Sequence, residues 1–408
     1  MKEWKEYKLG EVCKSIADGD HMPPPKSDKG IPFVTISNIV DNRLDFCNTH
    51  FVPQSYYDGL DDKRRPHIGD TIYSVVGTFG KPVYVKEEKP FVFQRHIAIL
   101  RPDASKIVPA FLFYTLLSPQ FYRKADIMAI GAVQRTISLT SLRNAAIQLP
   151  SLKIQSKIID ILKSLDDKIE VNRRINDNLE LQAQALFKSW FVDFEPFKDG
   201  EFVESELGMI PKGWSINEAK DIFDINIGKT PPRKEQEWFT ENKDDNVWVS
   251  IADMGSCGMF ISDSSEYLTN EAIKRFNIQI VERNSVLLSF KLTVGRVAIA
   301  DSRLTTNEAI ARFILPEDYY REFLYLYLKQ YKYGNLGSTS SIATAVNSKT
   351  IKGMKLLIPT TRILSEFSMK IKPLFDEIRT LLKESRRLSE FRDTLLPRLM
   401  SGELKIEM

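Results

Sequence analysis

The sequence predicts an α+β protein in which two mixed α/β domains, related by an internal repeat, are joined by two long helices that form an antiparallel coiled coil. Two observations support this prediction. A heptad pattern of apolar residues in residues 151–190 recurs 209 positions later, near the C-terminus. The order of motifs in residues 1–150 is also repeated in residues 197–360. Such a chain alternates a globular domain with a long helix, twice.

The first long helix is predicted at residues 151–196, between Pro150 and Pro196, because proline is favoured at helix starts and ends helices. Steps of four and three place apolar side chains along one face of a helix. The residues at these steps are Ile158, Leu162, Leu165, Ile169, Leu179, Ala183, Leu186 and Trp190. Asn172 and Asn176 fill the two remaining steps, and buried polar residues of this kind fix the register of a helix pair.

The second long helix is predicted at residues 361–408. Its heptad positions are Phe367, Ile371, Leu374, Ile378, Leu381, Ser385, Leu388, Arg392, Leu395 and Leu399. Antiparallel pairing about the midpoints of the two patterns puts Asn172 near Ser385. Each pattern extends about 50 Å at 1.5 Å per residue, so the helices are expected to hold the two globular domains apart.

The first globular domain is predicted at residues 1–150. β-Branched and aromatic residues predict strands at residues 31–39, 68–76 and 91–100, and residues 111–122 predict a helix with an aromatic buried face. Prolines and glycines predict loops between these elements, for example at residues 18–25.

The second globular domain is predicted at residues 197–360 as a repeat of the first. Trp214 corresponds to Trp4 at an offset of 210, residues 246–254 correspond to 31–39 at 215, and residues 343–359 correspond to 134–150 at 209. Insertions in loops explain the drift of the offset. Sequence identity between the copies is low, so we expect equal folds with different surfaces.

Composition indicates a cytoplasmic protein without a membrane anchor. The hydrophobic content is 43% and the charged content 27%, as in ordinary soluble proteins. No stretch resembles a membrane span or a secretory signal, and three scattered cysteines predict no disulfide framework. The net charge is +4 for residues 1–150, −1 for 151–196, −2 for 197–360 and +2 for 361–408, which permits DNA binding without arguing for it.

No pattern in the sequence predicts catalysis or a metal site. The four histidines are not spaced as metal ligands, and Gly228-Lys229-Thr230 lacks the earlier glycine of a phosphate-binding loop, since that position is Phe223. No dinucleotide-binding fingerprint and no Gly-x-Ser-x-Gly turn occurs. We therefore expect a chain that is not an enzyme and holds no cofactor.

Polar and basic residues recur in the loops of both globular domains, and side chains of these types bind phosphates and base edges. The candidates for DNA binding in the first domain are His21, Lys26, Arg64, Arg65, Lys81, Gln94, Arg95, His96 and Arg135. Those in the second are Lys229, Arg233, Lys291, Arg296, Arg303 and Asn307. An ordinary solvated surface is the alternative interpretation of each residue taken singly.

Large apolar residues cluster where each long helix ends. The candidates for a partner-docking surface are Trp190, Phe191, Phe194, Phe197, Leu395 and Leu399. Clusters of exposed aromatic residues mark protein interfaces. The alternative is that these residues cover the end of the helix-pair core.

Several short motifs resemble those of the specificity (S) subunits of type I restriction-modification systems. Residues 186–196 (LFKSWFVDFEP) are similar to the central conserved region of that family, and residues 395–404 (LLPRLMSGEL) to its distal conserved end. Residues 210–214 (IPKGW) resemble the opening of its second target-recognition domain. The Leu149-Pro150 and Ile358-Pro359 pairs match the ends of the two recognition domains, so the resemblance covers essentially the whole chain in the right order.

This resemblance implies that each globular domain is a target-recognition domain that reads one half of an asymmetric, bipartite sequence in double-stranded DNA. It implies that the helices are a spacer and a docking surface for two methyltransferase (modification) subunits. S-adenosylmethionine, ATP and Mg²⁺ then belong to partner subunits, including restriction/motor subunits. The recognition loops correspond to residues 18–25 and 228–233.

Two interpretations from other classes stay open at this point. The first is a coiled-coil scaffold that binds protein without recognising DNA, which a salt-dependent DNA shift with methyltransferase subunits would distinguish. The second is a self-contained DNA methyltransferase or nuclease that carries its own recognition domains, which cofactor binding by the isolated chain would reveal.

Overall fold

The computed structural model describes residues 4–19, 22–47, 49–132, 134–336 and 346–404. It separates into two compact units, and each is described by itself. Unit 1 comprises Met1–Ile169 and Arg386–Met408, and unit 2 comprises Glu170–Ser385. The two boundaries fall within the long helices α6 (Leu152–Phe191) and α12 (Thr361–Met400), so each helix contributes one half to each unit.

Unit 1 is a mixed α/β domain followed by the first half of α6. Its strands are β1 (Lys5–Lys8), β2 (Cys13–Asp18), β3 (Ile31–Val34), β4 (Ile39–Val40), β5 (Arg43–Leu44), β6 (His50–Val52), β7 (Thr71–Ser74), β8 (Pro82–Tyr84), β9 (Val92–Phe93), β10 (Ile97–Pro102) and β11 (Ala146–Leu149). Its shorter helices are α1 (Leu9–Val12), α2 (Gln54–Asp58), α3 (Pro109–Leu117), α4 (Pro119–Met128) and α5 (Leu139–Asn144). The main sheets have the orders β2-β10-β7-β8 and β6-β3-β9, and β1 pairs with β11.

Unit 2 contains a second copy of this domain. Its strands are β12 (Phe202–Ser205), β13 (Gly208–Pro211), β14 (Ser215–Glu218), β15 (Asp224–Ile227), β16 (Phe239–Thr240), β17 (Asn246–Val249), β18 (Phe260–Ile261), β19 (Tyr267–Leu268), β20 (Val286–Ser289), β21 (Val297–Ala300), β22 (Thr305–Thr306), β23 (Ile310–Ile314) and β24 (Lys355–Ile358). Its shorter helices are α7 (Ala219–Ile222), α8 (Ile251–Ser256), α9 (Asn270–Arg275), α10 (Tyr320–Gln330) and α11 (Ser348–Lys352). The main sheets have the orders β15-β23-β20-β21-β18 and β16-β19-β17-β22, and β14 pairs with β24.

All four predicted elements of the first domain are shorter or interrupted in the structure, and the strand predicted at residues 68–76 is limited to β7, Thr71–Ser74. The predicted strand at residues 91–100 consists of β9 and β10 with a turn at residues 94–96 between them. The predicted helix at residues 111–122 is interrupted at Ser118, which caps α4, and Pro119 then starts that helix. The predicted strand at residues 31–39 ends at Val34, because the side chain of Asn38 accepts a hydrogen bond from the Thr35 N–H and closes a turn.

The repeat predicted from the sequence extends to the pairing of individual residues. In unit 1, Lys5 is opposite Leu149 across β1 and β11, and in unit 2, Ser215 is opposite Ile358 across β14 and β24. The central strands also agree, since β10 lies between β2 and β7 as β23 lies between β15 and β20. The two domains therefore share equivalent strand pairings although their sequence identity is low.

The two long helices run antiparallel within unit 2. The Asn172 amide donates to the Ser385 hydroxyl at 3.2 Å, and the Trp190 ring lies 5.6 Å from the Phe367 ring. Residue numbers therefore rise on α6 as they fall on α12. Asn172 lies beside Ser385, as the heptad alignment predicts. In unit 1, Arg392 of α12 pairs with Asp166 of α6 at 2.7 Å.

The heptad pattern predicts the buried face of these helices only approximately. Leu165 and Leu374, which occupy heptad positions, are half-buried. Ile371 and Phe375 of α12 are fully buried in the core of unit 2, where Phe375 contacts the ring of Phe260. The difference arises because α12 also packs against the sheet of the domain and needs an apolar face broader than a two-helix seam.

A glycine at the end of one strand fixes the start of a loop in each unit. A β-carbon at Gly19, after β2, would overlap the carbonyl oxygen of Phe93. A β-carbon at Gly228, after β15, would overlap the carbonyl oxygens of Thr306 and Asn307. Only a residue without a side chain lets two backbone segments approach this closely.

We expect Phe375→Ala to lower the free energy of unfolding by about 3–5 kcal/mol, because it leaves a cavity in a well-packed core. Urea unfolding followed by circular dichroism measures this. Met369→Ala, on the same helix but 70% exposed, is the matched control and should change stability by less than about 0.5 kcal/mol. Equal effects of the two substitutions would contradict the assignment of the buried face.

We expect Gly228→Ala to destabilise unit 2 by about 1–3 kcal/mol, because the new methyl group forces two backbone segments apart. Gly334→Ala is the control, since a β-carbon at Gly334 meets no atom within 4 Å. Thermal unfolding and hydrogen exchange at Thr306 and Asn307 measure the effect. Unchanged exchange at both amides would show that the close approach does not constrain the loop.

Candidate nucleic-acid interface

In each unit the ends of four strands bring three loops to one edge of the main sheet. In unit 1, Asp18 at the end of β2 pairs with Ala98, and Ser74 at the end of β7 pairs with Ile97. This places residues 19, 22–26, 75–81 and 94–96 at the same edge, and we call them the edge loops of unit 1. The same pairings in unit 2, such as Ile227 with Ala311, define its edge loops as residues 228–233, 290–296 and 307–309.

The edge loops of the two units share a backbone framework. The Lys81 N–H donates to the Ser74 hydroxyl at 2.9 Å, and the Arg296 N–H donates to the Ser289 hydroxyl at 3.0 Å. The Gln94 N–H donates to the Val34 carbonyl at 3.1 Å, and the equivalent Asn307 N–H donates to the Val249 carbonyl at 3.0 Å. The Val75 N–H donates to the His96 carbonyl at 2.9 Å, and the equivalent Phe290 N–H donates to the Ala309 carbonyl at 2.9 Å. These bonds make residues 94–96 structurally equivalent to residues 307–309.

Five of the residues predicted to bind DNA in the first domain lie in the edge loops of unit 1. Lys26 and Arg95 are exposed, whereas Lys81, Gln94 and His96 are half-buried. Burial and the neighbouring Arg95 cation both lower the pKa of His96, so its ring is held in the neutral form more strongly than an exposed histidine. His21 lies outside the described residues.

The other three arginines predicted for the first domain are engaged in contacts within the chain. The Arg65 guanidinium donates to the Asp58 carbonyl and lies 5.5 Å from the Tyr57 ring. Arg135 pairs with Asp126 and lies 5.2 Å from the ring of Phe79, an edge-loop residue. Arg64 lies 3.9 Å from the Asp18 carboxylate. The structure thus gives these three arginines partners inside unit 1, which the sequence pattern did not indicate.

In unit 2, Arg233 and Trp248 brace the loop at residues 228–233. Arg233 makes two hydrogen bonds to the Glu266 carboxylate, at 2.7 and 2.8 Å, and its guanidinium lies 4.5 Å from the Trp248 ring. The hydrogen bond to Glu266 raises the pKa of Arg233. The Trp248 indole donates to the Lys229 carbonyl at 3.1 Å. Arg233 therefore shapes the loop, while the exposed Lys229 projects from it and reaches the carbonyls of residues 276 and 277.

The remaining predicted residues of the second domain divide between the two edges of the sheet. Lys291, Arg296 and Asn307 lie in the edge loops. Arg296 donates to the Ile251 carbonyl at 2.5 Å. Arg303 lies at the opposite edge, after β21, where it pairs with Glu282 at 3.2 Å. Arg303 therefore lies outside the edge loops, and the sequence alone gives no indication of which edge of the sheet a turn occupies.

Glu308 and Leu292 are two further exposed edge-loop residues that the sequence analysis did not propose for DNA binding. Glu308 is exposed and accepts a hydrogen bond from the Thr230 hydroxyl. Leu292 is 99% exposed at the tip of the hairpin between β20 and β21. The signal that would have found them is the internal repeat, since Glu308 is the equivalent of Arg95. Neither residue was predicted, because the predicted DNA-binding residues are basic or amide side chains, whereas Glu308 is acidic and Leu292 is apolar.

Half of the predicted docking residues are buried within the chain, and the other half are partly exposed. Trp190, Phe191 and Leu399 are buried and belong to the cores of their units. Phe194 and Phe197 are half-buried against Trp214, with ring distances of 5.5 and 5.2 Å. Leu395, like Phe194 and Phe197, keeps part of its surface exposed. The sequence pattern alone cannot distinguish the buried residues from the half-buried ones, because burial depends on which parts of the fold pack against the end of the helix.

The described part of the chain contains no group of three or more His, Cys, Asp or Glu side chains arranged to hold a metal ion. Within the same residues, no helix combines the length and the apolar character required to cross a membrane.

A family model described as the type I restriction modification DNA specificity domain matches residues 1–181 and again residues 211–383. The HindI specificity subunit, a type I restriction enzyme component from Haemophilus influenzae, is 27% identical over 474 residues, which cover 99% of this chain and 100% of that protein. The MjaIX specificity subunit from Methanocaldococcus jannaschii is 30% identical over 313 residues, which cover 74% of this chain and 70% of its own length.

The fold is similar to that of a solved structure. The crystal structure of a type I restriction-modification S subunit from M. genitalium has a TM-score of 0.52 and 14% sequence identity, with 97% of this chain and 96% of that chain covered. The family model accounts for both copies of the repeat, and the sequence relatives extend over nearly the whole chain. This protein therefore belongs to the specificity-subunit family of type I restriction-modification systems, the family responsible for DNA target recognition.

Proposed function

We propose that this chain reads a bipartite DNA sequence, with the edge loops of unit 1 contacting one half and those of unit 2 the other. The long helices act as the spacer between the halves and as the docking surface for two methyltransferase subunits. The chain itself is non-catalytic in this proposal. S-adenosylmethionine belongs to the methyltransferase subunits, and ATP and Mg²⁺ to restriction/motor subunits. The proposed substrate is intracellular DNA, so the chain acts in the cytoplasm.

The observation that carries the proposal is one backbone framework with different side chains at equivalent positions. Arg95 of unit 1 is the equivalent of Glu308 of unit 2, a change from cation to anion. Gln94 is the equivalent of Asn307, and Val76 the equivalent of Lys291. In the major groove, arginine pairs with guanine while a carboxylate accepts from cytosine. Equal scaffolds with these differences favour two readers of unlike sequences.

The charge distribution supports a local rather than a global electrostatic attraction to DNA. Residues 1–150 contain 20 Lys and Arg against 16 Asp and Glu, and residues 197–360 contain 20 against 22. In unit 2, Lys229 and Lys291 are exposed in the edge loops, whereas the Arg233 charge is paired with Glu266. In this proposal, few cations are available to attract the DNA phosphates. Contacts to the bases therefore contribute a large share of the affinity for DNA.

The long helices carry exposed apolar side chains that support the docking proposal. Val171 is 48% and Ile175 39% exposed, four residues apart and therefore on one face of α6. Phe391 of α12 is 54% exposed. Phe194, Phe197 and Leu395 add partly exposed apolar surface at the helix ends. Apolar side chains on the surface of a helix mark a protein interface more often when they cluster.

We expect Arg95→Ala to relax recognition of one half of the target and Glu308→Ala to relax the other. Each should lower affinity for the cognate sequence by about 1–3 kcal/mol if the side chain contacts a base. The target is identified by mapping methylated bases in DNA from cells that contain the system. Binding of the chain, assembled with its methyltransferase subunits, is then measured on duplexes substituted at each position.

Arg303→Ala is the matched control, because Arg303 is a comparably exposed cation of unit 2 at the opposite edge of the sheet. It should leave the recognised sequence unchanged. A uniform loss of affinity across sequences, with a smaller salt slope, would reassign Arg95 to a phosphate contact. If Arg95→Ala and Glu308→Ala affected the same half, the two-reader proposal would be wrong.

We expect the double substitution Val171→Asp and Ile175→Asp to weaken assembly with the methyltransferase subunit by at least about tenfold, because it places two charges in an apolar contact. Leu207→Asp, an exposed leucine in the hairpin between β12 and β13, is the control. Size-exclusion chromatography with light scattering measures assembly, and circular dichroism confirms that both variants fold. Normal assembly of the doubly charged variant would exclude this face of α6 as the docking surface.

A further inference from the structure

The hairpin between β20 and β21 holds a leucine in a backbone conformation that leucine disfavours. Leu292 has a φ of 58°, in the left-handed region, where the side chain of an L-residue crowds its own carbonyl. Among the described residues, those other than glycine with a positive φ are Asp41, Asn42, Phe194, Asn277, Asn284 and Leu292. Asparagine and aspartate tolerate this conformation because their short polar side chains bond locally. Phe194 and Leu292 therefore require another explanation.

Packing among the described residues explains Phe194 but not Leu292. The Phe194 ring lies 5.5 Å from the Trp214 ring and 6.0 Å from the Phe202 ring, so burial offsets its strained backbone. The Leu292 side chain is 99% exposed and gains no such burial. An isobutyl group that is both strained in its backbone and fully hydrated lowers the stability of the folded chain.

The first copy of the repeat supplies an internal comparison. Gly77 is the equivalent of Leu292, in a hairpin with the same Ser-to-backbone bonds, and its φ is 69°. The fold thus requires a left-handed residue here, and unit 1 fills the position with the residue that adopts this conformation freely. Unit 2 has the same backbone with a large apolar side chain added. Among the described residues, no packing accounts for that side chain.

The surroundings of Leu292 indicate what it contacts. The hairpin is one of the edge loops of unit 2, and the Phe290 N–H bonds to the carbonyl of Ala309, next to Glu308. The neighbouring Lys291 is exposed and provides a cation suited to a phosphate. An apolar side chain beside a cation at a loop tip matches the two chemistries of DNA, since thymine methyl groups and base faces are apolar and the backbone is anionic.

We propose that Leu292 makes an apolar contact with the bases of the half-site read by unit 2, while Lys291 holds an adjacent phosphate. The apolar partner is a thymine 5-methyl group or the face of a base that Leu292 partly unstacks. Unit 1, with Gly77 at the equivalent position, lacks this contact. The inference rests on the proposed function, because it needs unit 2 to lie on DNA.

The test uses the full chain assembled with its methyltransferase subunits and a 40-base-pair duplex that carries the mapped methylation target. Leu292→Gly restores the residue that unit 1 uses, and Leu292→Asn keeps a side chain that tolerates the backbone. Leu207→Asn, which changes an exposed leucine in another hairpin of unit 2, is the control. Each thymine of the second half-site is replaced singly by uracil, and each adenine by the fluorescent 2-aminopurine.

We expect both Leu292 variants to bind the cognate duplex about tenfold more weakly, with the loss confined to the second half-site. Their melting temperatures should equal or exceed that of the unaltered chain, because the strained position is relieved. Leu207→Asn should bind normally. With the unaltered chain, a uracil that weakens binding identifies a methyl contact, and a rise in 2-aminopurine fluorescence identifies an unstacked base. Each effect should disappear in Leu292→Gly.

Normal affinity of both Leu292 variants would overturn the proposal. A weaker affinity without any uracil or 2-aminopurine effect would also overturn it, because the leucine would then act only on the shape of the loop. A lower melting temperature in both variants would assign Leu292 a packing role within the chain. Failure of the proposed function is separately visible, since the unaltered complex would then bind the target duplex no better than an unrelated one.

Discussion

Each globular repeat is closed by a pairing of an early strand, β1 or β14, with its last strand, β11 or β24, and the rest of the architecture depends on this closure. Lys5 is opposite Leu149 in unit 1, and Ser215 is opposite Ile358 in unit 2. The chain therefore leaves each domain next to the place where the paired early strand lies, and α6 or α12 begins three residues after the closing strand ends. A domain attached in this way is a module, because its loops can change without altering the point of attachment.

At the candidate interface, some of the charged residues of each unit form ion pairs within the chain that support the loops. Arg135 is paired with Asp126 and Arg233 with Glu266. These guanidiniums help to hold their loops in shape through contacts within the chain. The side chains left to face a ligand are fewer, among them Arg95, Lys229 and Lys291. Pre-organised loops lower the conformational entropy lost on binding and thereby favour specificity.

The long helices combine a tightly packed apolar core with a polar layer. Asn172 is fully buried, and its amide donates to Glu384 and Ser385 at 2.7 and 3.2 Å. The side-chain oxygens of Asn172 and Asn176 have no hydrogen-bond partner among the described residues. An unsatisfied buried oxygen destabilises the pair, yet any other register would leave the amide of Asn172 without its acceptors as well. The polar layer thus fixes how the helices align more than how strongly they associate.

The sequence alone determined the two repeated α/β domains, the two long helices and the alignment of Asn172 with Ser385, because periodicity and offset are one-dimensional properties. It also found most of the edge-loop cations, since basic residues in loops are visible in a sequence. Only the tertiary structure decided that Arg303 lies at the other edge, that Trp190 and Phe191 belong to the core, and that Arg233 braces a loop. Burial and ion pairing depend on neighbours that are distant in the chain, and no local pattern records them. The exposure and left-handed backbone of Leu292 are likewise visible only in the tertiary structure, where its φ can be compared with that of Gly77.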